Sequence, residues 1–87
     1  MSVENIKKKL EDFIKKISKI SEKKLSRDKV DNISKQAVIF ANLLDGEGFF
    51  SESEEMKSFA VTVSRNSKVT RSQIKVLNDI LNIIELE

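Results

Sequence analysis

Apolar residues recur every three or four positions through the first half of the chain. The stripe begins with Val3, Ile6, Leu10, Phe13, Ile17 and Ile20. This spacing predicts a helix over residues 3–24, with an apolar face and a lysine-rich face opposite it. A second stripe of the same spacing follows Ser26, a candidate N-cap, and ends where Gly46 can adopt the left-handed conformation that closes helices. Residues 1–44 are therefore predicted to form a long antiparallel helical hairpin.

Residues 49–67 fit two kinds of structure. Every second residue from Phe59 to Val63 is apolar, which is typical of a short strand. Met56, Phe59, Ala60 and Val63 instead fit the spacing of one helix face. Residues 51–54 have the form of a capping box, and acidic residues nearby favour a helix N-terminus. We therefore favour a helix over a strand in this segment.

The last segment carries clearer helix signals. Thr70 and Gln73 have the spacing of a capping box, and Val69 and Ile74 can form a hydrophobic staple. Apolar residues on two sides of this helix predict that it is either the central element or one half of an intermolecular contact. The sequence thus predicts an all-α fold, a single small four-helix domain over residues 1–87. It would consist of the long N-terminal hairpin and two shorter C-terminal helices.

Composition restricts the chemistry that this chain can perform. Its 87 residues include no Pro, which helix interiors exclude, and neither Cys nor His. The usual zinc ligands and the commonest general base are therefore missing, and no motif pairs a nucleophile with an oriented base. We expect no enzyme activity, no metal and no cofactor. The sequence shows neither a signal-peptide pattern nor an apolar run that could span a membrane, so we expect a cytoplasmic protein without membrane contact.

Charge adds a candidate interface. Residues 1–24 hold eight Lys and four acidic residues, although the net charge of the whole chain is only +2. Lys contacts phosphate as a point charge, and the N–H groups that begin the last helix could supply a second phosphate contact. The residues predicted to bind nucleic acid are Lys7, Lys8, Lys15, Lys16, Lys19, Lys23, Arg65, Lys68 and Arg71.

Two functions fit these features. In the first, the lysine-rich helix contacts the phosphates of DNA or RNA, as in a small subunit of a nucleoprotein complex. In the second, the chain is an adaptor, inhibitor or assembly subunit whose apolar seams bind an acidic protein or form homo- or hetero-oligomers. Lysine on an outer helix face is commonly just solvated, and an AT-biased genome also enriches Lys, Ile and Asn. We favour the first function because the lysines are concentrated in one segment.

Two short segments resemble parts of known families. Residues 40–49, FANLLDGEGF, resemble the motif helix of LAGLIDADG homing endonucleases, in which the acidic residue that ends the helix binds the catalytic metal. The resemblance implies that role for Asp45, and it departs from the family at Asn42, where the family has a packing glycine. Residues 69–75 resemble a segment of the small helical subunits of type III CRISPR effector complexes, which line the bound RNA with basic surfaces. Similar caps open the first helix of some winged-helix regulators, so the chain is assigned to none of these families.

Overall fold

The computed structural model describes residues 2–86, which form four α-helices joined by short connections. The helices are α1 (Val3–Ser18), α2 (Arg27–Gly46), α3 (Phe50–Asn66) and α4 (Arg71–Leu86). No strand occurs within the described residues. The predicted all-α four-helix fold is confirmed, as is the helical interpretation of the ambiguous segment that became α3. The first two helices form the N-terminal hairpin, and the last two form a C-terminal hairpin.

Two of the predicted helix starts are confirmed by their hydrogen bonds. The Lys29 N–H donates to Ser26 Oγ at 3.4 Å, so Ser26 caps α2. At the start of α4, the Gln73 N–H donates to Thr70 Oγ1 at 3.2 Å, and the Thr70 N–H donates to Gln73 Oε1 at 2.8 Å. This reciprocal pair is the predicted capping box, and it satisfies two donors that the helix itself leaves unpaired.

The start of α3 differs from the prediction. Phe49 occupies the N-cap position without a side-chain hydrogen bond, and Ser51 lies inside the helix. The predicted capping box at residues 51–54 is therefore wrong, because the helix begins before it. The turn ahead of α3 also uses a different glycine: Gly48 has a φ of 89°, whereas Gly46 is the last residue of α2.

Helix α1 ends at Ser18, six residues before the end predicted from the apolar spacing. The chain turns there because its backbone finds other partners. The Glu22 N–H donates to the Val69 carbonyl at 2.8 Å, and the Leu25 N–H donates to the Ser67 carbonyl at 2.9 Å. These two bonds join the α1–α2 loop to the α3–α4 loop, and they replace the bonds that a longer helix would have made internally.

The helices pack as a ring in which two of the four contacts are extensive. Helix α2 packs closely on α3, and α1 packs on α4, whereas α1 with α2 and α3 with α4 meet only along short seams. Small residues allow the close approach of α2 and α3, where the Ser53 hydroxyl donates to the Ala41 carbonyl at 2.7 Å. Helix α4 packs on α1 and meets α3 only along a short seam, so it is not the central element, and the alternative that it takes part in an intermolecular contact stays a prediction.

The core contains buried residues of all four helices in one cluster. Phe13 of α1 lies near its centre, with its ring centroid 5.3 Å from that of Phe40 and 6.3 Å from that of Phe59. The second contact is edge-on, an arrangement that aromatic pairs prefer, and it links α1 to the diagonally placed α3. None of the described helices is both long and apolar enough to cross a lipid bilayer.

Candidate nucleic-acid interface

The paired loops gather four helix ends at one end of the bundle. We call this region, residues 15–31 and 65–75, the basic end. It contains the last turns of α1 and α3, the first turns of α2 and α4, and the two loops that join them. The start of α1 lies at the other end of the bundle, next to the end of α4, where Lys7 Nζ is 4.0 Å from Glu85 Oε1.

Charge is strongly divided between this region and the rest of the chain. Residues 15–31 and 65–75 contain eleven of the sixteen Lys and Arg but only three of the fourteen Asp and Glu, so their net charge is +8 and that of the remainder is −6. The eleven are Lys15, Lys16, Lys19, Lys23, Lys24, Arg27, Lys29, Arg65, Lys68, Arg71 and Lys75. The fold therefore turns a nearly neutral chain into a strongly polarised molecule.

Seven of the nine predicted binding residues belong to the basic end. Lys19 and Lys23 are exposed as expected, but they lie in the turns after α1 and not on that helix. Lys7 and Lys8 lie more than one helical turn before the basic end. Lys7 is within 4.0 Å of carboxylates of both Glu4 and Glu85, so its charge already has partners on the protein.

The predicted lysine face of α1 is less continuous than the sequence suggested. Successive residues of an α-helix point about 100° apart, so consecutive lysines such as Lys7 and Lys8 face different directions. Glu4, Glu11 and Asp12 lie among these lysines on the same helix. Residues 3–14 of α1 therefore carry three Lys and three acidic residues, whereas the last turn carries Lys15 and Lys16 without an acidic residue.

Four basic residues of this region are not among the predicted binding residues: Lys24, Arg27, Lys29 and Lys75. Lys24 is the last residue of the lysine-rich segment 1–24, and the other three lie outside that segment. The signal that could have found them is topological. In four antiparallel helices with short connections, the first and third loops lie at the same end, so basic residues around both loops come together.

Helix dipoles explain only part of this charge. Lys15, Lys16 and Arg65 lie in last turns, where the partial negative charge of a helix C-terminus favours cations. Arg27 and Arg71 begin α2 and α4, where the dipole disfavours cations. Within the described part of the basic end the side chains form a single ion pair, in which Arg27 Nε lies 3.8 Å from a carboxylate oxygen of Asp31.

The start of α4 is already occupied by an anionic group of the protein. The Arg71 N–H donates to Glu22 Oε2 at 2.8 Å, across 49 positions of sequence. A phosphate contact with the backbone N–H groups was predicted at this helix start, and the Glu22 carboxylate now fills that position. Phosphates at the basic end would accordingly meet side chains.

The residues behind the two family resemblances take ordinary structural positions. Asp45 is exposed in the last turn of α2, and residues 69–75 form the cap and first turn of α4. Nowhere among residues 2–86 do three or more His, Cys, Asp or Glu side chains gather in a way that could hold a metal ion. Comparison of the chain with models of protein families, with curated proteins and with solved structures finds no match.

Proposed function

We propose that this protein binds the phosphate backbone of nucleic acid through its basic end, without catalysing a reaction. The observation that carries the proposal is the concentration of eleven cationic side chains with one ion pair in the described region. Like charges held this closely repel one another and oppose folding. A bound polyanion would remove that repulsion and release counterions from the nucleic acid.

The residue types favour backbone contacts over base recognition. Eight of the eleven cations are Lys, which contacts phosphate as a point charge, whereas bidentate recognition of guanine favours Arg. The chain has no Tyr or Trp, and the basic end contains no Phe, so no aromatic platform for base stacking is present there. We therefore expect binding that depends little on sequence and strongly on salt.

The dimensions also suit this role. The bundle measures 35 × 19 × 18 Å, so the basic end is a face less than 20 Å across. Duplex DNA carries one charge per about 1.7 Å of its axis, so such a face spans roughly eleven phosphates on both strands. About half of them can face the protein at once, which gives roughly six contacts.

Titration of labelled single- and double-stranded DNA and RNA tests the proposal. Six phosphate contacts predict that affinity falls about 10³-fold between roughly 50 and 200 mM salt on duplex DNA. Comparison of the four nucleic acids then identifies the preferred one. Absence of binding at the lower salt would contradict the proposal and leave protein–protein interaction as the function.

Charge reversal locates the site. The variant Lys19→Glu, Lys23→Glu, Lys68→Glu should bind at least about 100-fold more weakly, with the slope of log affinity against log salt reduced by about three. The matched control Lys8→Glu, Lys35→Glu, Lys57→Glu makes the same change of net charge outside the basic end, and it should reduce that slope by less than about one. Equal losses in the two variants would mean that only net charge matters and that the basic end is not the site.

A further inference from the structure

A shallow groove runs between α1 and α2, along the seam where these helices make few contacts. It consists of two adjoining cavities of about 350 and 390 Å³, which share Phe13, Lys16 and Gln36. Its apolar lining includes Phe13, Ile17, Ile33, Ile39, Phe40 and Leu43. The floor residues Phe13, Ile17, Ile33 and Phe40 are themselves buried, and the apolar side chains open to solvent are those of Ile39 and, in part, Ile20 and Leu43.

The shape of the groove suits a helix. Along α2 it extends from Asp28 to Leu43, and 15 residues at a rise of 1.5 Å give about 22 Å, or four helical turns. Ile39 stands at its edge with 57% of its surface exposed, and Ile20 and Leu43, which also line the groove, are partly exposed. An occupant with an apolar stripe would cover these three side chains together.

The charges at the rim favour an acidic occupant. Lys9 and Lys16 border the groove from α1, seven residues and about 10 Å apart, and Lys29 borders it from α2. None of the three makes an ion pair with the described residues of the chain. The rim also carries two carboxylates, Asp12 on α1 and Asp28 on α2, so its net charge is +1. Asp28 lies in the first turn of α2, where the helix dipole stabilises it.

We propose that the α1–α2 groove binds an amphipathic helix of a partner protein that carries Glu or Asp beside its apolar stripe. Its apolar residues would recur at helical spacing along the floor, and acidic residues one heptad apart would meet Lys9 and Lys16. Helix α4 of a second copy fits less well, because its exposed apolar residues, Val76 and Ile83, have the one carboxylate of Asp79 between them.

The probe is a labelled, amidated peptide of about 16 residues with Leu at the spacing of one helix face and Glu on both flanks. The same peptide with Lys in place of Glu is its control. We expect the Glu peptide to bind at least about tenfold more tightly, and to shift backbone amide NMR signals on both sides of the groove. Failure to bind at millimolar concentration, or equal binding of the Lys peptide, would overturn the proposal.

Variants at exposed positions locate the site without disturbing the core. Lys9→Glu and Ile39→Ser should each weaken peptide binding about five- to tenfold. Lys8→Glu makes the same charge change on another side of α1, and Val61→Ser removes an apolar side chain of similar exposure from α3, 54% against 57%. Both controls should bind the peptide as the wild-type chain does, and a comparable loss in a control variant would overturn the assignment.

Two further experiments distinguish a partner-helix site from a dimer contact and from the phosphate-binding surface. Sedimentation that shows a dimer dissociated by Ile39→Ser would mean that a second copy fills the groove, and it would overturn the partner-helix proposal. This inference does not rest on the proposed nucleic-acid function. Lys16 and Lys29 belong to both surfaces, so an oligonucleotide and the peptide should compete, but Ile39 lies outside the basic end and oligonucleotide affinity should be unchanged by Ile39→Ser. Loss of both oligonucleotide and peptide binding on Ile39→Ser would make the groove part of the phosphate surface and overturn the inference.

Discussion

Among the described residues, Ser53 is the polar residue that is almost completely buried, with 1% of its surface exposed. Its hydroxyl donates to the Ala41 carbonyl at 2.7 Å, across the contact between α2 and α3. A hydroxyl buried without a partner would cost free energy, so the bond fixes which residues of the two helices face each other. Ser34 donates to the Ala60 carbonyl at 3.3 Å farther along the same contact.

Replacement of Ser53 tests this bond. We expect Ser53→Ala to lower the free energy of unfolding by about 1–2 kcal/mol, because the Ala41 carbonyl loses a buried donor. Urea denaturation followed by circular dichroism measures the change, with the exposed Ser58→Ala as control. A Ser53→Ala protein as stable as the control would show that the bond contributes nothing to the contact.

Glu22 is a second residue that stabilises a part of the chain distant from it in sequence. It adopts a φ of 65°, a conformation that costs energy for a residue with a side chain, and its carboxylate caps a helix that begins 49 residues later. We expect Glu22→Ala to lower the free energy of unfolding by about 1 kcal/mol, because the cap is lost. Glu22→Gln, which keeps an acceptor oxygen, should lose less.

The same substitutions should act in the opposite direction on binding. Each removes one negative charge from the basic end, so oligonucleotide affinity should rise while stability falls. Fluorescence anisotropy at low salt, beside the unfolding measurement, would show both changes. Affinity that falls in proportion to stability would indicate that Glu22 serves the fold alone.

These residues also show which helix caps can be predicted from local sequence and which cannot. The cap of α4 was predicted because Thr70 and Gln73 lie three positions apart. The Glu22 cap could not be predicted, because a carboxylate bonds an N–H wherever the fold brings them together. Ser51 shows the converse: its spacing to Glu54 matched a capping box, but α3 had already begun at Phe50.

At the scale of the helices, the uneven packing distinguishes strong from weak contacts. Apolar spacing predicted the buried faces of α1, α2 and α3 correctly, including Ile6, Leu10 and Phe13 in α1, but it did not identify which of the two apolar sides of α4 is buried. It could not predict which helices pack most closely, since any apolar face can pack against any other. Small residues decide this point, because Ala37, Ala41 and Ala60 let α2 and α3 approach.

Amide hydrogen exchange measures that difference. We expect the slowest exchange in the middle of α2 and α3, and exchange at least about tenfold faster in the first turn of α1 and the last turn of α4. Loosely packed units open more readily than closely packed ones, and helices α2 and α3 have the densest contacts with each other. Uniform protection across all four helices would show that the bundle opens only as a whole.

At the scale of the whole molecule, charge is distributed by topology. A count along the chain gives +4 for residues 1–24, which pointed to the side of one helix. The fold instead combines the end of that segment with residues from around the third loop, and the same charges then form a face of +8. The structure therefore brings seven of the nine predicted residues to one end of the bundle, and it is the order of the helices, not local sequence, that gathers them there.

Salt should stabilise this protein. Repulsion within the basic end is screened when the Debye length falls from about 30 Å at 0.01 M salt to about 8 Å at 0.15 M, so the midpoint of thermal unfolding should rise over that range. The double variant Lys23→Gln, Lys24→Gln should be more stable than the wild-type chain at low salt and similar to it at high salt. A midpoint independent of salt in both proteins would mean that the repulsion is negligible.

The hydrogen bonds between the two loops have a consequence for folding as well. Glu22 and Val69 are 47 positions apart, so the two halves of the basic end meet only when the chain is folded. An unfolded chain disperses those cations and offers a polyanion a weaker target. Nucleic acid would then act as a ligand of the native state, adding about 2.7 kcal/mol to its stability at one hundred times Kd. On this basis the protein would be most completely folded where its ligand is most abundant.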